Sequence, residues 1–171
     1  CEMIRQKGTN RSDFDKKLVD KYTWKTLGSS YLMSDFNAAF LEIQLDNIDK
    51  VNKHRIKVWK EYSTNLLDNV FFTKQVIDQE LYFGNGHIYF IIFNNIKYLN
   101  QFYQFMSKAK IQVYAHYTSL HDKQEVYKNI IKTNCNECNL ANDLCVRLPI
   151  HSNLTIENVK YIINKINEFV S

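Results

Sequence analysis

Apolar positions in this chain fall into helical stripes and short extended runs, and their order alone predicts a mixed architecture. From Ser34 to Leu67, the residues Phe36, Phe40, Ile43, Ile48, Val51, Trp59, Tyr62 and Leu66 keep a helical rhythm without forming one stripe. That predicts one long helix, or two with a bend near Asp46 to Asp49. Val70 to Thr73 is a short strand candidate, and Gln75 to Gly86 is a polar connection ending in GNG. His87 to Phe93 is dense in β-branched and aromatic residues and reads as a central strand. After the Asn94-Asn95 turn signal, Leu99, Phe102, Phe105 and Met106 line a helix face, and Ile111 to Ala115 predicts another strand. The resulting strand, helix, strand unit would place its two strands side by side under the helix. Leu144, Cys145 and Leu148 suggest a helical run that Pro149 ends. Thr155 is a good N-cap with Glu157 in the first turn, and Ile156, Val159, Ile162, Ile163, Ile166, Phe169 and Val170 form one stripe. The sum is a small two-layer α/β domain over 34–171, carrying a long N-terminal helix and preceded by an irregular arm over 1–33. No internal repeat and no low-complexity linker interrupts it.

Composition narrows the classes. With 171 residues, 45% of them hydrophobic, the chain can bury one core. The longest apolar run, Ile88 to Phe93, is far too short to span a membrane, and the start has no signal-peptide pattern, so a cytoplasmic protein with no membrane partner is expected. Net charge is +4 from 22 basic and 18 acidic side chains, with the lysines spread along the chain. Such a balance suits a small anionic ligand and does not call for nucleic acid.

Three of the four cysteines, Cys135, Cys138 and Cys145, fall close together, and CxxC is half of a common zinc site. The second half is missing and the surrounding TNCNECN lacks the strand-to-helix context of a redox pair, so no metal ligand is assigned. A metal-stabilised interaction module nevertheless stays open as an alternative reading. So does a single-stranded RNA module, in which Gly86 precedes a strand whose Tyr89 alternates with Ile91 and Phe93.

The segment GSSYLMSDFNAAFLEIQL, Gly28 to Leu45, is the richest in chemistry. Gly28 permits a turn, Ser29 and Ser30 offer hydroxyl donors, and Ser34 stands where an N-cap should, with Asp35 in the first turn. A polar entry into an amphipathic helix suits an anion, because helix-start N–H groups are unpaired and the dipole end is positive. Upstream, GTNRS at 8–12 offers Asn10 and Arg11, and a guanidinium can grip a diphosphate in a bidentate fork. Downstream, HYTSLH places His116, Tyr117 and His121 after a predicted strand, where a loop can present them to a cleft. His87 opens the aromatic strand and reads as a hydrogen-bonded structural histidine. Nothing beyond position singles out His54 or His151.

GTNRS, DKYTW at 20–24 and GSSYLMSD with its following AA and QL, taken with HIYF at 87–90, HYTSLH and RLPI at 147–150, resemble the DegT/StrS type of sugar-nucleotide aminotransferase. The likeness is nearest to the branch that makes dTDP-4-amino-4,6-dideoxygalactose, and it covers nearly the whole chain. It implies the C-terminal domain of a fold-type I enzyme dependent on pyridoxal 5'-phosphate. Ser30 and Tyr31 would then meet the cofactor phosphate: Ser30 stands where the wider family's GYNYRM carries an asparagine that reaches the phosphate in the neighbouring subunit. Asn10, Arg11, His116, Tyr117 and His121 would contact substrate. The implied partners are a dTDP-4-keto-6-deoxyhexose, glutamate as amino donor and a second copy of the chain. The implied setting is surface polysaccharide, such as lipopolysaccharide or enterobacterial common antigen.

The Schiff-base lysine of this family lies in an SxxxxKN-like segment upstream of GTNR, and no such segment occurs here. With the chain opening at Cys1, the expectation is a C-terminal piece of a longer enzyme that contains no catalytic residue and binds no cofactor by itself. Residues 1–33 would be an arm and active-site loop belonging to the large domain. One surface should also be unusually apolar where a large domain and a twin subunit would cover it.

Overall fold

The computed structural model describes residues 1–77, 84–115, 119 and 135–171. They divide into two compact units, Cys1–Ile48 and Asp49–Ser171. By sequence the boundary was expected at Ser34; the first unit takes in the following helix as well.

The first unit contains α1 (Glu2–Arg5), α2 (Arg11–Asp15) and α3 (Asp35–Asp46). The two short helices were not evident from periodicity, since neither spans two full turns. α3 starts where its cap residue requires: Ser34 is extended, and its hydroxyl accepts from the Asn37 N–H at 3.3 Å. It ends at Asn47, whose amide donates to the Ile43 carbonyl, and α4 (Ile48–Asn65) begins at the next residue. The bend expected near Asp46 to Asp49 is therefore a break between two helices. No apolar side chain of the first unit is buried, and Phe36, Phe40 and Ile43 of α3 are 84%, 63% and 60% exposed. Leu41 and Leu45, on the opposite side of the helix, are exposed as well, so the apolar residues of α3 run around it and the one-sided amphipathicity read from the sequence is weak.

The second unit contains nearly all of α4, then β1 (Phe72–Lys74), β2 (Tyr89–Phe93), α5 (Ile96–Lys108), α6 (Asn136–Leu144), β3 (Cys145–Leu148) and α7 (Ile156–Val170). The sheet is antiparallel in the order β1-β2-β3, with Phe72 opposite Phe93 and Tyr89 opposite Leu148. β2 is central, as its composition predicted. Alternation along β2 puts Tyr89, Ile91 and Phe93 into the core. There Tyr89 meets Trp59 and Tyr62 of α4, and Phe93 meets Phe102 of α5 and Phe169 of α7. The aromatic face that an RNA-binding sheet would offer to bases is thus the one packed under three helices.

Two sequence expectations are corrected. Cys145 to Leu148 is a strand, not a helical run: the helix stops at Leu144, and backbone pairing to β2 claims the next four residues. Leu144, Cys145 and Leu148 fit a helical spacing by coincidence, while the buried pair Val146 and Leu148 shows the period of two. Ile111 to Ala115 forms no strand beside β2 either. Among the described residues its bridge is antiparallel, Tyr114 to Arg147, with N–H···O distances of 2.8 and 3.3 Å. Because β2 and this segment both run antiparallel to β3, they are parallel to each other with β3 between them.

Long-range polar ties lock the helices to the sheet. The Tyr62 hydroxyl donates to the Pro149 carbonyl at 2.8 Å, and Asn167 of α7 closes the end of α4 by accepting from the Leu67 N–H and donating to the Asn65 carbonyl, both at 3.0 Å. Thr155 caps α7 by accepting from the Asn158 N–H at 3.2 Å. Among the described residues, no helix is long and apolar enough to cross a membrane.

Candidate functional site

The first unit is organised by two glycines set back to back. Gly8 has φ +78, a conformation that side chains resist, and a Cβ there would lie 1.8 Å from the Thr26 carbonyl oxygen. A Cβ on Gly28 would lie 2.2 Å from the Gly8 nitrogen and 2.7 Å from the Ile4 oxygen. Gly28 is required by this contact more than by the turn it was expected to permit. The approach lets the Lys25 and Thr26 amides donate to the Gly8 carbonyl, Ser29 N–H to Ile4, and Lys7 N–H to Ser29. Bridges from Gln6 to Ser30 and from Thr9 to Trp24 extend the clasp.

The GTNRS motif hangs on this clasp. Thr9 and Asn10 are buried. The Asn10 side-chain oxygen accepts from the Thr23 N–H at 2.8 Å and its own N–H donates to the Thr23 carbonyl, joining GTNRS to DKYTW. Asn10 thereby positions Arg11, the next residue and the first of α2. The Arg11 guanidinium lies 5.7 Å from the Tyr22 ring centre and 3.9 Å from the Asp15 carboxylate, with most of its side chain in solvent. A contact that long with an exposed carboxylate is weak, so the fork remains available to an anion.

On the other side of the clasp the Tyr31 N–H donates to Arg5 and fixes the backbone, while the side chains of Ser30 and Tyr31 are exposed. Neither hydroxyl is hydrogen-bonded to another of the described residues. The α3 N-terminus behind them is already served by the Ser34 cap and the Asp35 charge. What this segment offers an anion is therefore two exposed hydroxyls ahead of the helix more than the helix N–H groups. Hydroxyl donors on a fixed backbone fit the phosphate of pyridoxal phosphate.

His116, Tyr117 and His121 lie outside the described residues. His87 is hydrogen-bonded, as expected of a structural histidine: Arg55 donates to its Nδ1 at 3.3 Å and to its carbonyl at 2.9 Å. His54 donates from Nε2 to the Leu154 carbonyl at 2.9 Å. None of the cysteines is in a disulfide, and no cluster of three or more metal-ligating side chains occurs among the described residues. Burial pushes the Cys145 thiol up, partly offset by Arg147, which favours the unreactive thiol.

Comparison with known proteins settles the family. The model of the DegT/DnrJ/EryC1/StrS aminotransferase family matches residues 1–167. This chain belongs to that family. Among solved structures it resembles the Helicobacter pylori aminotransferase PseC, involved in pseudoaminic acid biosynthesis, at TM-score 0.77 and 19% identity over 99% of this chain and 44% of that one. It also resembles the PLP form of Spr1654, a sugar aminotransferase of Streptococcus pneumoniae, at TM-score 0.81 and 20% identity over 99% and 42%. A third is CalS13 of Micromonospora echinospora, at TM-score 0.82 and 14% identity over 97% and 43%. The fold is that of pyridoxal-phosphate-dependent sugar aminotransferases, and the chain spans less than half the length of the structures it matches.

Sequence reasoning singled out Asn10, Arg11, Ser30 and Tyr31, which lie around the clasp, but did not foresee the contact between Gly8 and Gly28. The available signal was that a glycine stands at the head of each motif.

Proposed function

We propose that this chain is the C-terminal portion of a sugar-nucleotide aminotransferase that moves an amino group from glutamate to a dTDP-4-keto-6-deoxyhexose for surface polysaccharide synthesis. Pyridoxal phosphate supplies the electron sink for this chemistry when bound. In this reading the residues of this chain bind and orient. Ser30 and Tyr31 donate to the cofactor phosphate, Arg11 grips a diphosphate oxygen pair from the base built by Asn10, and His116, Tyr117 and His121 line the substrate entrance. The proton-moving lysine belongs to the remainder of the enzyme.

The supporting observation is the glycine clasp, which carries both anion-binding pairs on one hydrogen-bonded scaffold in a chain whose family is established. The exposed apolar side of α3 fits the same reading, since the large domain and a second subunit would cover Phe36, Phe40 and Ile43. The test is an amino-transfer assay with dTDP-4-keto-6-deoxyglucose and glutamate on the chain joined to its upstream coding region. Turnover that falls in Arg11→Ala through a higher KM supports the proposal; an enzyme indifferent to the nucleotide sugar overturns it.

A further inference from the structure

Two thiols stand one helical turn apart at the start of α6. Spacing alone assigns the CxxC of Cys135 and Cys138 no element; in the structure Cys135 is the N-cap of Asn136–Leu144 and Cys138 lies within its first turn. The Cys135 carbonyl accepts from the Asn139 N–H at 3.0 Å, so that turn is closed. Ordinary helix geometry then separates the two α-carbons by about 5 Å, within the roughly 4.4 to 6.8 Å that a disulfide spans.

The platform under the pair is fixed. α6 packs on α5, β2 and β3, and its last residue runs directly into β3, where Cys145 pairs with Ile92. Asn142, on the same helix face as Cys135 and Cys138, accepts from the N–H of the buried Ser119 at 2.8 Å. Cys145 does not compete for either thiol: it caps the opposite end of α6, about 10 Å along the axis from Cys138 and beyond bridging distance. Among the described residues no cluster of three metal-ligating side chains includes the pair, so by itself it offers dithiol chemistry. Cys138 is exposed, whereas Cys135 is half-buried and engaged in an interaction of its own, which makes Cys138 the first to react.

We propose that Cys135 and Cys138 form a reversible disulfide, making the start of α6 a redox-modified site whose oxidant is a low-molecular-weight disulfide. The Cys138 thiolate attacks one sulfur of that molecule, breaks its S–S bond and releases one small thiolate. Cys135, its proton given to solvent, then displaces the second small thiolate and closes the internal bond. In balance, two protein thiols are oxidised to one disulfide, and one small disulfide is reduced to two thiols that take up the two protons. The proposed function uses neither cysteine, so failure of this inference leaves it untouched.

The test equilibrates the full chain with mixtures of reduced and oxidised glutathione in the presence of a chelator, blocks the remaining thiols and maps the bonds by peptide mass. A Cys135 to Cys138 disulfide is expected, reversed by dithiothreitol. Its formation constant should be roughly tenfold above that of the same chain in urea, because α6 holds the two sulfurs at a higher effective concentration than the unfolded chain does. Cys138→Ser should stop at the mixed disulfide with glutathione, and Cys1→Ser, in the first unit, should behave as the parent does. The inference is overturned if the folded chain is oxidised no more readily than the unfolded one, if the bond joins any other pair, or if both thiols take up glutathione without joining.

Discussion

Substituting Gly28 by alanine probes the clasp most sharply. The new methyl would lie 2.2 Å from the Gly8 nitrogen, whereas ordinary contact begins near 3.4 Å, so the two backbones must part by more than about 1 Å. Both neighbours are backbone atoms, and no flexible side chain can give way. Separation on that scale breaks the bonds from Ser29 to Ile4 at 3.0 Å and from Lys7 to Ser29 at 3.1 Å, and strains the pair donated to the Gly8 carbonyl. At about 1 kcal/mol for each bond, the first unit should lose about 2 to 3 kcal/mol of local stability. Native-state hydrogen exchange reads this directly. Protection of the Lys7, Gly8 and Ser29 amides should fall by roughly thirty- to a hundred-and-fiftyfold, with amides of β2 and α5 unchanged. Unchanged protection at Ser29 in Gly28→Ala would show that the close approach does not hold the loops together.

Other expectations follow from the second unit. Tyr62→Phe leaves the Pro149 carbonyl without its 2.8 Å donor in a buried site, and should lower stability by about 1 to 2 kcal/mol in urea unfolding. Burial holds the Tyr62 hydroxyl well above the usual phenol range and pushes Tyr89 up to about 12. Because the folded state disfavours phenolate, stability should be level below pH about 10 and decline above it, as phenolate absorbance against unfolding will show. Glu157 has its carboxyl held below the ordinary value by backbone and Thr155 hydrogen bonds, so its contribution is present above the unfolded pKa and is lost as pH falls through the folded one. A carbon-detected titration should therefore find Glu157 nearer the ordinary value in Thr155→Ala, which also removes a cap contributing about 1 kcal/mol.

The elements legible in the sequence were those whose signals agreed. α7 has a cap, an acidic first turn and one stripe, and α3 has Ser34 and Asp35 in the same roles. β2 was legible because an aromatic and β-branched run needs burial on at least one face. β3 was not: four residues are too few for period two to outweigh a chance helical match, and the pairing that makes them a strand comes from residues more than fifty positions earlier. The same distance hid the parallel relation between β2 and the Tyr114 segment. In the candidate site, Arg11 and Ser30 were visible as residue types able to grip anions. Asn10 was visible as a polar member of the motif, but not that its side-chain oxygen would accept from the Thr23 N–H and tie GTNRS to DKYTW. No local pattern announces that Gly8 and Gly28 touch.

The central claim is that the hydroxyls beside the clasp grip a cofactor phosphate. Its most direct test is a spectroscopic titration of pyridoxal phosphate into the chain joined to its upstream region, comparing the parent with Ser30→Ala. Loss of one hydrogen bond to a charged oxygen should weaken cofactor affinity roughly tenfold without changing the melting temperature. Equal affinity in both proteins, or no cofactor band in the parent, would contradict the account.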